Sequence, residues 1–285
     1  MSANPAAPPL VLTIAGFDPT SGAGITADIK AISANQAYGL ACIAALTVQN
    51  THGVRSYQPV APALLEEQLD FLLSDVQPRA VKIGMLGSRA AVDTVARQLA
   101  KHPIPWVVLD PIHAASNGVR LGDEAAWVHL RQKLFPVTSV LTPNLPEAEL
   151  LTGMTITKPG DMEAAAQVLH ALGPKFVVIK GGHLERPVDV LYDGQRCITL
   201  AADRVRTTNL HGTGCTFSAA LAANLANGKQ VHDAVVMAKA YLTAALKQSY
   251  AISDGPGPLN HLYRLQESPS SRNVDPAPQP EFTTR

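Results

Sequence analysis

An α/β protein with a mostly parallel sheet covered by helices on both faces is the fold class this sequence predicts, and three observations carry it. Apolar runs too continuous for a half-solvated strand alternate with helix-period segments along most of the chain. The 285 residues, 46% of them hydrophobic and 16% charged, suffice for one large core and are too apolar for disorder. No internal repeat and no linker interrupts positions 10 to 265, which favours a single domain over two small ones.

Taken in order, LVLTIAG (10–16) reads as a buried strand that feeds a helix with Ile25, Ile29 and Ile32 at helical spacing. LACIAALTV (40–48) is the next strand, followed by a helix with Leu65, Leu69, Leu72 and Leu73 on one side. AVKIG precedes a helix carrying Val92, Val95 and Leu99, and WVVLDP precedes one from Trp127 to Leu134. SVLTPN leads into PEAELL, and FVVIKGG closes the alternation. After Lys180 the pattern changes: VDVLYDGQRCITL has an Asp193-Gly194 turn between two alternating runs and predicts a hairpin. Helices at 213–227 and about 231–249 follow, the first with Phe217, Leu221 and Leu225 on one face and stopped at Asn227-Gly228. Positions 1–9 read as a flexible N-terminus, 10–266 as the domain, and the polar, proline-rich 267–285 as a disordered tail.

Composition excludes several function classes. Lysine plus arginine and aspartate plus glutamate both number 23, and there is no basic run, so neither nucleic acid nor an anionic membrane is an expected partner. Cys42, Cys197 and Cys215 are odd in number and lack paired spacing, which points to reduced thiols in the cytoplasm and against a disulfide frame or zinc site. The N-terminus has no basic region or apolar core of a secretory signal, and no run of about 18 apolar residues exists to span a membrane.

Ligands of an open parallel sheet bind beyond the carboxyl ends of its strands. The residues there are Gly16-Phe17-Asp18, Gln49-Asn50, Gly84-Met85, Asp110-Pro111, Asn144 to Glu147 and Lys180-Gly181-Gly182. GFDPTSGAG lacks both the P-loop and the dinucleotide glycine spacing, so by itself it reads as an ordinary turn. HGTGC (211–215) is more specific. Gly212 and Gly214 let backbone N–H groups converge at the positive end of a helix, where a phosphoryl group fits, and the first turn is expected to lower the pKa of Cys215. The alternative for Cys215 is a buried small residue. Asn144 and Glu147, three apart, suit magnesium held through water and phosphate, and equally a helix cap. Asp110 places an acid at the rim. Lys180 offers its ammonium to phosphate, Gly181 and Gly182 keep the nucleotide side open, and a lysine capping a strand end is the plainer alternative. His113, His183 and His211 show no metal spacing and read as structural or polar fillers.

In their joint order, GFDPTSGAGITADIK, AYG, VQNT, KIGML, LDP, TPNLPEAE, KGGH and HGTGC resemble the hydroxymethylpyrimidine/phosphomethylpyrimidine kinases of thiamine biosynthesis from about Leu10 to about Tyr263. These belong to the vitamin-kinase branch of the ribokinase-like superfamily. The resemblance implies a three-layer αβα sandwich with a C-terminal hairpin plus helices, and two successive ATP- and Mg2+-dependent phosphorylations of the pyrimidine. By position it implies that Gln49 bonds the pyrimidine edge and that Gly16, Ala23, Met85 and Ile112 wall its pocket. Asp28 and Lys180 match positions near the phosphates, with Gly182, Thr213 and Asn144 also toward the nucleotide. Asp110 and Glu147 match the magnesium region, and Gly212, Gly214 and Cys215 match the anion hole. Many superfamily members carry an aspartate base where this chain has Cys215. Phe17, Thr20-Ser21 and IHAASNG depart from the usual pattern, the last in a loop expected over the substrate. A pyridoxal kinase on the same scaffold is the alternative. A catalytically silent homologue would lack the glycine hole or the acids, and both are present. A homodimer is what the resemblance implies.

Overall fold

The computed structural model describes residues 6–115, 117–122, 124–182 and 187–266. His183, positions 1–5 of the expected flexible N-terminus and the expected tail at 267–285 lie outside the described residues. Among those described, the strands are β1 (Leu10–Phe17), β2 (Tyr38–Asn50), β3 (Gly53–Pro59), β4 (Ala80–Ile83), β5 (Trp106–Leu109), β6 (Val140–Leu141), β7 (Phe176–Ile179), β8 (Val188–Tyr192) and β9 (Cys197–Ala201). The helices are α1 (Gly24–Ala34), α2 (Pro62–Asp75), α3 (Arg89–Lys101), α4 (Glu124–Lys133), α5 (Leu145–Thr152), α6 (Pro159–His170), α7 (Thr213–Ala226) and α8 (Val231–Lys247).

The strands form one sheet in the order β3-β2-β1-β4-β5-β6-β7-β8-β9. The six strands from β2 to β7 in that order run parallel, while β3, β8 and β9 are antiparallel to their neighbours. Two-residue periodicity divides each central strand between two cores. Leu12, Ile14, Val81, Leu109, Leu141 and Ile179 join Leu65, Leu69, Val95, Leu134 and Leu169 on one face. Val11, Val108, Val140 and Val178 join Ile32, Phe217, Leu221, Val235 and Tyr241 on the other. The three-layer sandwich follows directly from continuous apolar strands that need cover on both sides.

Three details differ from the expectation. An antiparallel edge strand, β3, precedes α2; its GVRSYQP has only Val54 buried, so it shows no apolar run. Helix α6, with Asp161 accepting from the Lys158 N–H, occupies a stretch to which the sequence reading assigns nothing. Finally, α7 is buried all round rather than on one face, every residue from Cys215 to Ala226 being covered by α1, α8 and the sheet. Its alanines make this close approach possible. No helix among the described residues is long and apolar enough to cross a membrane.

His261 ties the segment after α8 to α7 and α8, with Nε2 2.9 Å from Thr216 Oγ1 and its carbonyl accepting from the Tyr241 hydroxyl at 2.8 Å. Burial, aided by the nearby Lys30 charge, pushes its pKa down to about 4. Below the unfolded value of about 6.5 the unfolded chain takes up a proton that the folded ring resists. Stability is therefore full above about pH 6.5 and declines as pH falls toward 4. Unfolding free energies from urea titrations at pH 7 and pH 4.5 are expected to differ by about 2 kcal/mol more in wild type than in His261→Asn; equal pH dependences would mean that His261 does not set this part of the acid sensitivity.

Candidate active site

The carboxyl ends of the parallel strands and the start of α7 enclose a cleft of about 1050 Å3. Gly16, Ala23, Gln49, Met85 and Ile112 line it, and a Cβ on Gly16 would lie 3.0 Å from Met85 Sδ, so glycine lets the sulfur close onto the strand end. A register shift in β2 between Val48 and Gln49 re-aims the chain at Gln49. Asp110, Asn144, Glu147, Lys180, Gly182, Gly212, Thr213, Gly214 and Cys215 also line this cleft. The structure thus brings together all the expected residues except one.

That one is Asp28. Its side chain is fully buried and reaches not the cleft but Lys82 Nζ at 2.8 Å and Thr13 Oγ1 at 2.6 Å. The ADIK segment lies on the first turns of α1, whose inner face points into the protein, so Asp28 sits beneath the site. Burial works against both charges, but at Lys82 the Asp28 carboxylate, with Cys215 and Asp110, outweighs it, and the ammonium stays protonated far above neutral pH. Lys82, in KIGML, is a charged group of this region that the sequence reading passes over, because a lysine inside an apolar strand carries no local signal.

At the start of α7, Gly212 has φ +82°, and a Cβ there would lie 1.8 Å from the Gly22 carbonyl oxygen. Only glycine admits that approach. The first i→i−4 bond runs from the Thr216 N–H to the Gly212 carbonyl, so the amides of Gly214 and Cys215 precede the helical ladder. A Cβ on Gly214 would lie 3.2 Å from Lys180 Nζ and 3.6 Å from Asp110 Oδ2. Lys180 Nζ in turn donates to Asp110 Oδ1 at 2.6 Å, and Thr142 and Ser218 hydroxyls donate to the same carboxylate at 3.2 and 3.3 Å. Burial disfavours the Lys180 charge, but Asp110 and Glu147 outweigh it and raise its pKa.

Asn144 and Glu147 form a reciprocal capping box on α5, at 2.8 and 2.9 Å, so the capping alternative is realised. Glu147 nevertheless faces the same charges as Asp110. Burial pushes its pKa up to about 7 against the pull of Lys180, with Asp110 adding to the rise. Two buried acids facing one lysine leave negative charge that a divalent cation would relieve. No cluster of three metal-ligating side chains occurs among the described residues.

Cys215 departs from expectation. Its thiol accepts from the Gly24 N–H, and Lys82 pulls its pKa down, yet burial dominates and pushes it up to about 11. A helix start lowers a thiol pKa where solvent shares the charge, and here the sulfur is dry. The thiol is neutral at pH 7.

His211 is likewise not a filler. Its Nε2 lies 2.8 Å from Asp18 Oδ2 and 3.2 Å from the Gln49 amide, on the cleft wall. Asp18 also accepts from the Thr20 and Ala23 N–H groups. Burial would raise the Asp18 pKa, but hydrogen bonds from His211 and Thr20 outweigh it and hold it below the usual carboxylate range. His113 packs edge-on against Trp127, the ring centres 4.9 Å apart. A second lysine-acid pair, Lys239–Asp189 at 2.6 Å, lines the cleft beside the 202–207 segment. Asp189 also accepts from the Gly181 N–H. Neither residue stands out in the sequence.

A family model described as phosphomethylpyrimidine kinase matches residues 18–260. A hydroxymethylpyrimidine/phosphomethylpyrimidine kinase of Synechococcus elongatus is 43% identical over 260 residues, covering 90% of this chain and 98% of the relative. A bifunctional thiamine biosynthesis protein of Geobacter sulfurreducens is 41% identical over 90% of this chain, which spans 53% of that longer protein. Among solved structures, an ADP complex of Bacillus subtilis pyridoxal kinase matches with a TM-score of 0.84 at 35% identity, over 91% of this chain and 100% of that one. Fold, cleft and sequence agree: this chain belongs to the phosphomethylpyrimidine kinase family.

Proposed function

We propose that this protein transfers the γ-phosphoryl group of ATP to the hydroxymethyl oxygen of 4-amino-5-hydroxymethyl-2-methylpyrimidine, and then a second one to the resulting monophosphate, in thiamine biosynthesis. The observation that carries the reading is the start of α7, where the amides of Gly214 and Cys215 meet the ammonium of Lys180 at one wall of the cleft. Such a nest stabilises the equatorial oxygens of a phosphoryl group in flight. Gly212, Gly214 and Lys180 hold that group, Gly182, Thr213 and Asn144 border the nucleotide, and Gln49, Gly16, Ala23, Met85 and Ile112 enclose the ring. Asp110 and Glu147, as oxygen donors, would hold Mg2+ through water and phosphate, and the ion would neutralise charge on the transferring group. The catalytic unit is one domain spanning residues 10–266, acting as a cytoplasmic homodimer without a nucleic-acid or membrane partner. Near-equal charge and three free cysteines support that setting.

Cys215 serves through its backbone N–H and through a neutral thiol beside the hydroxymethyl oxygen. Positioning and charge neutralisation then matter more than a strong base. Cys215→Ala is expected to lower kcat about tenfold or more while the ATP KM holds; near-full turnover would reduce the role of Cys215 to its amide.

The test of the whole reading is ATP consumption by the purified protein with Mg2+, offered the pyrimidine alcohol or pyridoxal, with products identified by mass. Mono- and then diphosphorylated pyrimidine is the expected result. Pyridoxal kinase is a second reading, favoured by the similarity to the Bacillus subtilis enzyme. Phosphorylation of pyridoxal alone would move the protein to vitamin B6 salvage, and turnover of neither would leave a silent homologue.

A further inference from the structure

The hydrogen bonds around Gln49 admit one orientation of its side-chain amide. Asp18 gathers the Thr20 N–H at 2.8 Å, the Thr20 hydroxyl at 2.9 Å and the Ala23 N–H at 2.9 Å, donors that hold it as a carboxylate. Its remaining partner, His211 Nε2, lies 2.8 Å from Oδ2 and so must carry a hydrogen. The imidazole occupies the space that a side chain at position 22 would need, a Cβ on Gly22 coming within 2.2 Å of His211 Cδ2.

The Gln49 amide lies between His211 and Thr47. An amide nitrogen 3.2 Å from the His211 N–H would set two donors against each other. On the far side, the Thr47 hydroxyl has a single hydrogen, and the Phe17 carbonyl takes it at 2.9 Å. The Gln49 atom 3.1 Å from Thr47 Oγ1 must therefore donate. A half-turn of the amide, which leaves its shape unchanged, removes the clash of donors and suits Thr47: Nε2 faces Thr47, and Oε1 faces His211, whose one N–H goes first to Asp18 at 2.8 Å and reaches Oε1 as the longer arm of a shared bond.

We propose that His211, backed by Asp18, is a positioning residue that fixes the polarity of Gln49 and so the direction in which a substrate ring edge is read. Oε1 keeps one lone pair for a ring amine, and Nε2 keeps one hydrogen for the adjacent ring nitrogen. An aminopyrimidine offers that donor-acceptor pair and must present its amine toward His211. The choice of ring rests on the function proposed above; the polarity of Gln49 does not.

Long-range 1H–15N correlation on histidine-labelled protein without substrate reads the first link directly. A protonated Nε2 on His211 is expected, and a neutral ring with a bare Nε2 overturns the proposal whatever the protein phosphorylates. Kinetics test the consequence. His211→Phe keeps a ring but removes the N–H, and is expected to raise the KM for the aminopyrimidine alcohol about tenfold, with the ATP KM unchanged within about twofold. His211→Gln, which restores a side-chain N–H, is expected to recover most of the loss. An unchanged alcohol KM in His211→Phe, or the same loss in both variants, overturns the positioning role. A wild-type protein that takes pyridoxal and not the pyrimidine ends the function reading, while the nitrogen spectrum still decides the polarity.

Discussion

Gly214→Ala is expected to leave the protein folded and within about 1 kcal/mol of wild-type stability while lowering kcat by about two to three orders of magnitude. Gly214 sits in the first turn of α7 with ordinary helical backbone, so alanine meets no conformational penalty and gains helix propensity. The methyl would project 3.2 Å from Lys180 Nζ and 3.6 Å from Asp110 Oδ2, into the place that the proposed reaction gives to the equatorial oxygens of the transferring group. Lys180 would give way by a few tenths of an ångström, and the phosphoryl group would be displaced further. Thermal melting and steady-state turnover with MgATP separate the two effects. A variant with near wild-type kcat would show that the phosphoryl group passes somewhere other than the start of α7.

Lys82→Met is expected to destabilise the protein by about 3–5 kcal/mol, because it strands a buried carboxylate. Both side chains of the Lys82–Asp28 pair are wholly excluded from solvent. Asp28 Oδ1 already has no hydrogen-bond partner, so without the ammonium the carboxylate would retain only the Thr13 hydroxyl on Oδ2. The double variant Lys82→Met/Asp28→Leu removes the stranded charge and is expected to recover most of the loss, as apolar replacement of buried pairs often does. Urea unfolding of the two variants checks this. A neutral Lys82→Met would mean that the pair is not ionised, and a double variant as unstable as the single one would assign the cost to packing.

The layers of the fold are legible in the chain because each rests on local patterning. LVLTIAG and WVVL are continuous apolar runs that serve two cores, and HGTGC marks a helix start wherever it is placed. The edge strand β3 escapes such reading because one exposed face and one short side leave it without an apolar pattern. The site is legible in part for the same reason: Gln49, Asp110, Lys180 and the glycines of α7 all follow strands or open a helix. His211 and Asp18 stand 193 positions apart, Lys82 and Asp28 54, and Lys239 and Asp189 50, so no local spacing signals these pairs.

Local patterning in the chain suffices for the parallel sandwich, the rim of residues beyond its strands and the glycine-opened helix at the cleft wall. It takes the folded chain to show that Asp28 lies under the site, that burial keeps the Cys215 thiol protonated, and that His211 reaches both Asp18 and Gln49. The division has a physical cause. Strand and helix formation depends on neighbours a few residues away, whereas desolvation and the field at a buried atom sum over groups that folding gathers from the whole chain.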